Sequence, residues 1–131
     1  MDKFKIEKSE EDWKKELGKE SFHILREKGT EPPFSGELNS HYENGKYYCK
    51  ACNTELFSSD SKFDSGCGWP SFDASKPGNI IYERDISFGR IRTEIMCSNC
   101  GGHLGHVFND GPTETGQRYC VNSLSINFKK S

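Results

Sequence analysis

The chain has no long apolar run and few apolar residues overall. Hydrophobic residues make up 32% of its 131 positions, a low share for a globular protein. They never approach the roughly 20 consecutive positions that a membrane helix needs. The opening MDKFKIEKSEEDW lacks the apolar stretch of a secretory leader. An excess of one charge is missing too. The formal net charge is −2 and the basic residues are scattered, which argues against the electrostatic footprint of nucleic-acid binding. These absences lead us to expect a cytoplasmic monomer without a membrane or nucleic-acid partner. The length suits one domain, 1–131, and a chain that is 29% charged needs something besides apolar burial to hold its core together.

Cysteine is what the chain does have, at 49, 52, 67, 97, 100 and 120. An even count in a small secreted protein would suggest a disulfide framework. Without a leader, and in a reducing compartment, metal binding and redox chemistry are the better readings.

Residues 1–31 read as a polar, helical segment packed on a β domain formed by the rest of the chain. Ser9 is placed to cap a first helix with Trp13 and Leu17 on one face, Gly18 breaks it, and Phe22 with Leu25 marks a second helix ending near Gly29. Pro32-Pro33 then forces extended chain. Beyond it, short β-prone runs lie at Gly45–Tyr48, Glu55–Phe57, Ile80–Arg84, Ile91–Ile95, Val107–Asn109, Gln117–Val121 and Leu124–Phe128. Asn44-Gly45, between Tyr42 and Tyr47-Tyr48, reads as a tight hairpin turn. The expected fold is mainly β with short N-terminal helices.

Cys49-Lys50-Ala51-Cys52 and Cys97-Ser98-Asn99-Cys100 are two CxxC pairs, 44 residues apart. A two-residue turn brings both sulfurs of such a pair to one side, so two pairs supply the four ligands of a tetrahedral zinc site. With four thiolates the coordination sphere is closed, which points to a structural Zn2+ and away from a zinc hydrolase. A thioredoxin-like redox role for one pair lacks the βαβ pattern it would need.

Cys67 and Cys120 are left over. Cys67 lies in Ser65-Gly66-Cys67-Gly68-Trp69-Pro70, a loop in which flanking glycines favour accessibility. Cys120 lies in Arg118-Tyr119-Cys120-Val121-Asn122, where strand alternation points Arg118, Cys120 and Asn122 to one face. A guanidinium on that face favours thiolate. His103 and His106, in GHLGHVF, are open to two readings from the residues alone: structural histidines, or acid–base groups beside a thiolate.

Several of these motifs, in this order, resemble the B-type methionine sulfoxide reductases. They are Gly29–Gly36 (GTEPPFSG), both CxxC pairs, Cys67–Phe72 (CGWPSF), HLGHVF at 103–108 with Asp110-Gly111-Pro112, and Arg118–Ser123 (RYCVNS). The likeness spans about a hundred of the 131 residues. Phe88 and Arg90 depart from it, where His and Met are more usual. The resemblance implies two packed, twisted antiparallel sheets arranged like a tent. It implies reduction of the R epimer of methionine sulfoxide in oxidised proteins or peptides, with Cys120 as nucleophile, Cys67 as resolving thiol and thioredoxin as reductant. It makes His106 and Asn122 the groups that hold and protonate the sulfoxide oxygen, with His103 a neighbouring partner. Trp69 becomes the wall for the substrate methyl group, extended by Phe108 and Phe72. The competing reading is a non-enzymatic, zinc-stapled β module that binds a ligand or protein.

Overall fold

The structure is a computed structural model that describes residues 8–39, 41–86 and 89–130. The one α-helix among the described residues, α1, spans Glu10–Glu27. The Ser9 side chain accepts from the Asp12 N–H at 3.2 Å, and Glu10, Glu11 and Asp12 place negative charge at the positive end of the helix dipole. Gly18, at φ 80° and ψ 164°, breaks the helix, so the two helical pieces expected on either side of it are both present. The end differs by one residue from expectation. Lys28 takes the left-handed cap conformation at φ 58°, and the Gly29 N–H closes on the His23 carbonyl at 3.0 Å.

Among the described residues nine strands come after it: β1 (Gly45–Cys49), β2 (Glu55–Ser58), β3 (Lys62–Phe63), β4 (Ser71–Phe72), β5 (Ile80–Asp85), β6 (Arg92–Cys97), β7 (His103–Phe108), β8 (Arg118–Val121) and β9 (Ile126–Lys130). They form a sheet in the order β2-β1-β9 and a larger one in the order β3-β4-β8-β7-β6-β5, with every pairing antiparallel. The mainly β, two-sheet expectation holds. The sheets meet through aromatic rings: Phe72 stacks on Phe57 with centroids 4.3 Å apart, and Tyr47 meets Phe72 edge-on at 5.0 Å. Trp13, Phe22 and Leu25 of α1 join the same core cluster.

Two expectations fail here. Asn44-Gly45 is not a hairpin turn, because no strand precedes it among the described residues and Gly45 opens β1 directly, paired with Lys130 of β9. A side chain at Gly45 would collide with the Lys129 carbonyl, so this glycine serves close strand approach and not turning. Phe72, expected on the substrate wall, is fully buried against Phe57. Its ring is what joins the two sheets.

The strand containing both histidines begins earlier than expected, at His103 instead of Val107. Residues three apart on a regular strand face opposite sides. Here Ile95 pairs with Gly105 while Met96 pairs with His103, so Leu104 is an extra residue in β7. This bulge re-aims His103, and the two imidazole rings lie 5.7 Å apart.

Candidate active site and metal centre

The two CxxC turns are built alike. Asn53 and Gly101, one residue past the second cysteine of each pair, are both left-handed, at φ 64° and 76°. Each donates its N–H to the carbonyl of the first cysteine, at 2.7 Å for Asn53 to Cys49 and 2.8 Å for Gly101 to Cys97. Such turns bring all four sulfurs within 4.8 Å of one another. Cys49 and Cys100 are 3.7 Å apart and Cys52 and Cys97 3.5 Å. A tetrahedron with metal–sulfur bonds of about 2.3 Å has sulfur–sulfur edges of about 3.8 Å, so these residues fit one ion. The Gly102 N–H reaches the Cys100 sulfur at 3.4 Å, an amide contact of the kind expected from the glycines after the second pair. Cys49, Cys97 and Cys100 belong to the hydrophobic core, where an ion would tie β1 to β6.

The second constellation lies across the larger sheet. Ser71 of β4, Cys120 of β8, His106 of β7 and Glu94 of β6 stand in register across four adjacent strands. A side chain at Gly105 would collide with the Cys120 carbonyl, so this glycine lets β7 press close behind Cys120. A groove of about 360 Å³ opens on this face, lined by Cys67, Trp69, His103, His106, Phe108, Cys120 and Asn122 among others. Seven of the eight expected catalytic and substrate residues therefore share one groove, and Phe72 is the exception. A larger cavity of about 650 Å³, lined in part by Glu31, has none of the cysteines in its lining.

Cys67, in the loop between β3 and β4, places its sulfur 3.2 Å from that of Cys120. The Ser65 hydroxyl donates to it at 2.9 Å, and the Ser71 hydroxyl lies at 3.4 Å. Two sulfurs this close cannot both ionise readily. The Cys120 contact, with the hydroxyls, lowers Cys67 to about 4. The same contact, with burial, raises Cys120. Arg118 lowers Cys120 as anticipated, but it is outweighed. Arg118 itself is held by a bidentate pair to Asp110, at 2.8 and 3.1 Å, and lies 4.5 Å over the Phe108 ring.

Each of the two groove histidines carries a carboxylate partner. His106 donates from Nε2 to Asp85 Oδ2 at 2.8 Å, and Arg92 reaches the same oxygen at 3.2 Å. Burial pulls His106 below its ordinary value, against the opposing pull of Asp85. His103 donates from Nδ1 to Glu94 Oε2 at 2.7 Å, which leaves its buried Nε2 without a partner among the described residues. Burial raises Glu94, but His103 and Lys28 together hold its carboxyl below the usual range. The Trp69 indole N–H donates to the Glu31 carbonyl at 2.9 Å.

The profile of the SelR domain matches residues 17–130. The chain is 58% identical over 125 residues to the peptide methionine sulfoxide reductase MsrB of Methanosarcina barkeri, covering 95% of this chain and 88% of that protein. It is 56% identical over 128 residues to the protein of the same name from Leptospira interrogans, covering 97% and 98%. The chain belongs to the SelR family. Within this SelR fold, the departure at Arg90 falls on the rim of the groove, while Phe88 lies outside the described residues.

Sequence reasoning missed Asp85 and Glu94, the partners of the two histidines. A signal for Glu94 was present: a carboxylate inside the run Arg92–Cys97, whose remaining inner positions are apolar, needs a buried partner. Asp85 gave none, since half of β5 is exposed and its pairing with β6 is what carries Asp85 to His106.

Proposed function

We propose that the chain reduces the R epimer of methionine sulfoxide, chiefly in oxidised proteins and peptides, and is recharged by thioredoxin. The observation that carries this reading is the Cys67–Cys120 pair, 3.2 Å apart, in a groove that also holds Trp69, His106 and Asn122. With the shared proton on Cys67, the pair presents a nucleophile beside a thiol, and Arg118 favours the charge on Cys120. A sulfoxide sulfur becomes electrophilic as its oxygen is protonated or strongly hydrogen-bonded. His106, charged against Asp85, acts as the acid, while Asn122 and His103 hold the oxygen. Attack by the Cys120 thiolate releases methionine and leaves Cys120 as sulfenic acid. The Cys67 sulfur then displaces water, forming the Cys67–Cys120 disulfide, and a dithiol protein reduces it by exchange.

Epimer choice follows from two unlike walls. In the R epimer the methyl group meets Trp69 and the oxygen meets His106. Exchanging them buries an oxygen against the indole and leaves a donor unpaired, at a cost of about 1–3 kcal/mol per group. The groove is open at the surface of a sheet, which suits a protruding side chain of a peptide. We read the metal in the four-cysteine site as Zn2+, because an all-sulfur tetrahedron suits that ion and leaves it no catalytic position. On this reading the protein works in the cytoplasm as a monomer, where the reducing compartment supplies the dithiol.

The test is product formation from separated R and S epimers of a methionine sulfoxide peptide, with dithiothreitol as reductant. Methionine from R alone is expected. No methionine from either epimer, with the fold and metal intact, would overturn the reading.

A further inference from the structure

Glu31 has none of the roles assigned above, yet it is bonded to two residues that do. It is only 2% exposed and precedes Pro32-Pro33 in the GTEPPFSG motif. Its backbone N–H donates to Asn122 Oδ1 at 3.1 Å, and its backbone carbonyl accepts from the Trp69 indole at 2.9 Å. A residue before proline is confined to extended conformations, and an extended residue presents its N–H and carbonyl on one side. A single residue thus engages both side chains.

The consequence for Asn122 is a fixed amide. The Glu31 N–H can only donate, so Oδ1 must face it. The Leu104 carbonyl can only accept, so Nδ2 must face that, at 3.0 Å. One Nδ2 proton is left for the groove that Asn122 lines. Had the amide been free to flip, the groove would meet an acceptor as readily as a donor.

The Glu31 side chain anchors the same segment. Its Oε1 accepts from the Leu124 N–H at 2.9 Å, tying residue 31 to the turn directly after Asn122. Its Oε2 is buried against Gly36 and finds no partner among the described residues. Burial pushes this carboxyl up, against the opposing pull of Leu124 and Ser123, so the fold carries a desolvation cost at this position.

We infer that Glu31 is a positioning residue: its side chain anchors a backbone clamp that holds Trp69 and Asn122 in register, and so sets the discrimination between sulfoxide epimers. The inference rests on the reductase reading, and it is tested by two readouts of which one is independent of activity. Glu31→Ala removes the anchor, while Glu31→Gln keeps an oxygen for the Leu124 N–H. In Glu31→Ala, the R-to-S ratio of kcat/KM is expected to fall by about tenfold or more, as displaced walls degrade the fit. Its Trp69 indole N–H resonance should shift and exchange faster with solvent, with Trp13 as internal reference. Glu31→Gln should retain both properties. If Glu31→Ala does not fold, Glu31→Asp, one methylene too short to reach Leu124, takes its place with the same expectations. A lowered Tm with an unchanged epimer ratio and indole resonance would show a merely structural residue and overturn the inference. So would equal losses in the Ala and Gln variants. Were the wild-type protein inactive on both epimers, the reductase reading would fall, and the indole resonance would still report on the clamp.

Discussion

The four sulfurs of Cys49, Cys52, Cys97 and Cys100 and the two of Cys67 and Cys120 are brought within contact distance by the same fold, but their surroundings differ. Three of the first group are core residues, and the four face one another in a closed set whose edges match a single ion. The second group sits half-buried at a groove wall, contacted by hydroxyls and approached by a guanidinium. Contact between thiols therefore does not by itself decide their chemistry. A set that closes on itself leaves no position for a substrate, whereas a pair with one open side has both a partner and a target.

The largest effect should come from breaking the closed set. Stripping the metal with a strong chelator, or replacing Cys97 with Ser, is expected to unfold the protein. Structural zinc contributes roughly 10–16 kcal/mol in small domains, as much as the whole stability of a typical fold. Circular dichroism and thermal melting provide the check, and an unchanged spectrum in metal-free protein would erase the distinction between the two groups. Cys120→Ser should do the reverse, abolishing turnover while metal content and Tm stay at wild-type levels. Cys67→Ser is expected to give one stoichiometric round of methionine and then stop when thioredoxin is the reductant. Continued cycling in that variant would mean that a different thiol resolves the sulfenic acid.

The four-cysteine group was legible from local spacing and the facing of Cys120 from strand alternation, whereas the pairing of Cys67 with Cys120 came from the family resemblance alone. The CxxC turns need only four residues, and alternation suffices to put Arg118, Cys120 and Asn122 on one face. What was not legible depends on register. His103 and His106 share a face only because Leu104 is bulged, and Asp85 reaches His106 only because β5 pairs with β6. Phe72 was misplaced for a related reason. A CGWPSF motif shows an aromatic near the reactive loop, but which side of a two-residue strand it faces is set by β8, the neighbour it pairs with.

The histidine and its carboxylate give a prediction of intermediate size. Asp85 raises His106 while burial lowers it, so Asp85→Asn should drop His106 further below 6.5. If His106 is the acid, the imidazolium fraction at neutral pH falls, and the alkaline limb of kcat/KM moves to lower pH. The loss should be greater at pH 7 than at pH 6, by up to about tenfold for each unit of displacement. Stability changes with a definite sign. A histidine whose folded value lies below its unfolded value is protonated preferentially in the unfolded chain. Stability therefore rises with pH through the window below 6.5 and is lost on acidification. A pH–rate profile that is unmoved in Asp85→Asn would remove His106 from the acid role.

The smallest effect concerns the rim of the groove. Arg92 and Arg118 line it but are paired with Asp85 and Asp110, whereas exposed Arg90 forms no ion pair among the described residues. Its charge is therefore available to whatever flanks the bound side chain. Exposed charge pairs are weak and screened by salt, so the preference for an acidic over a neutral neighbour in a substrate peptide should be about fivefold at most. Arg90→Met should remove that preference without altering turnover of a neutral peptide, and raising the salt concentration on the wild-type protein should have the same effect. If the preference survives both treatments, it comes from the paired arginines, whose geometry the fold already fixes.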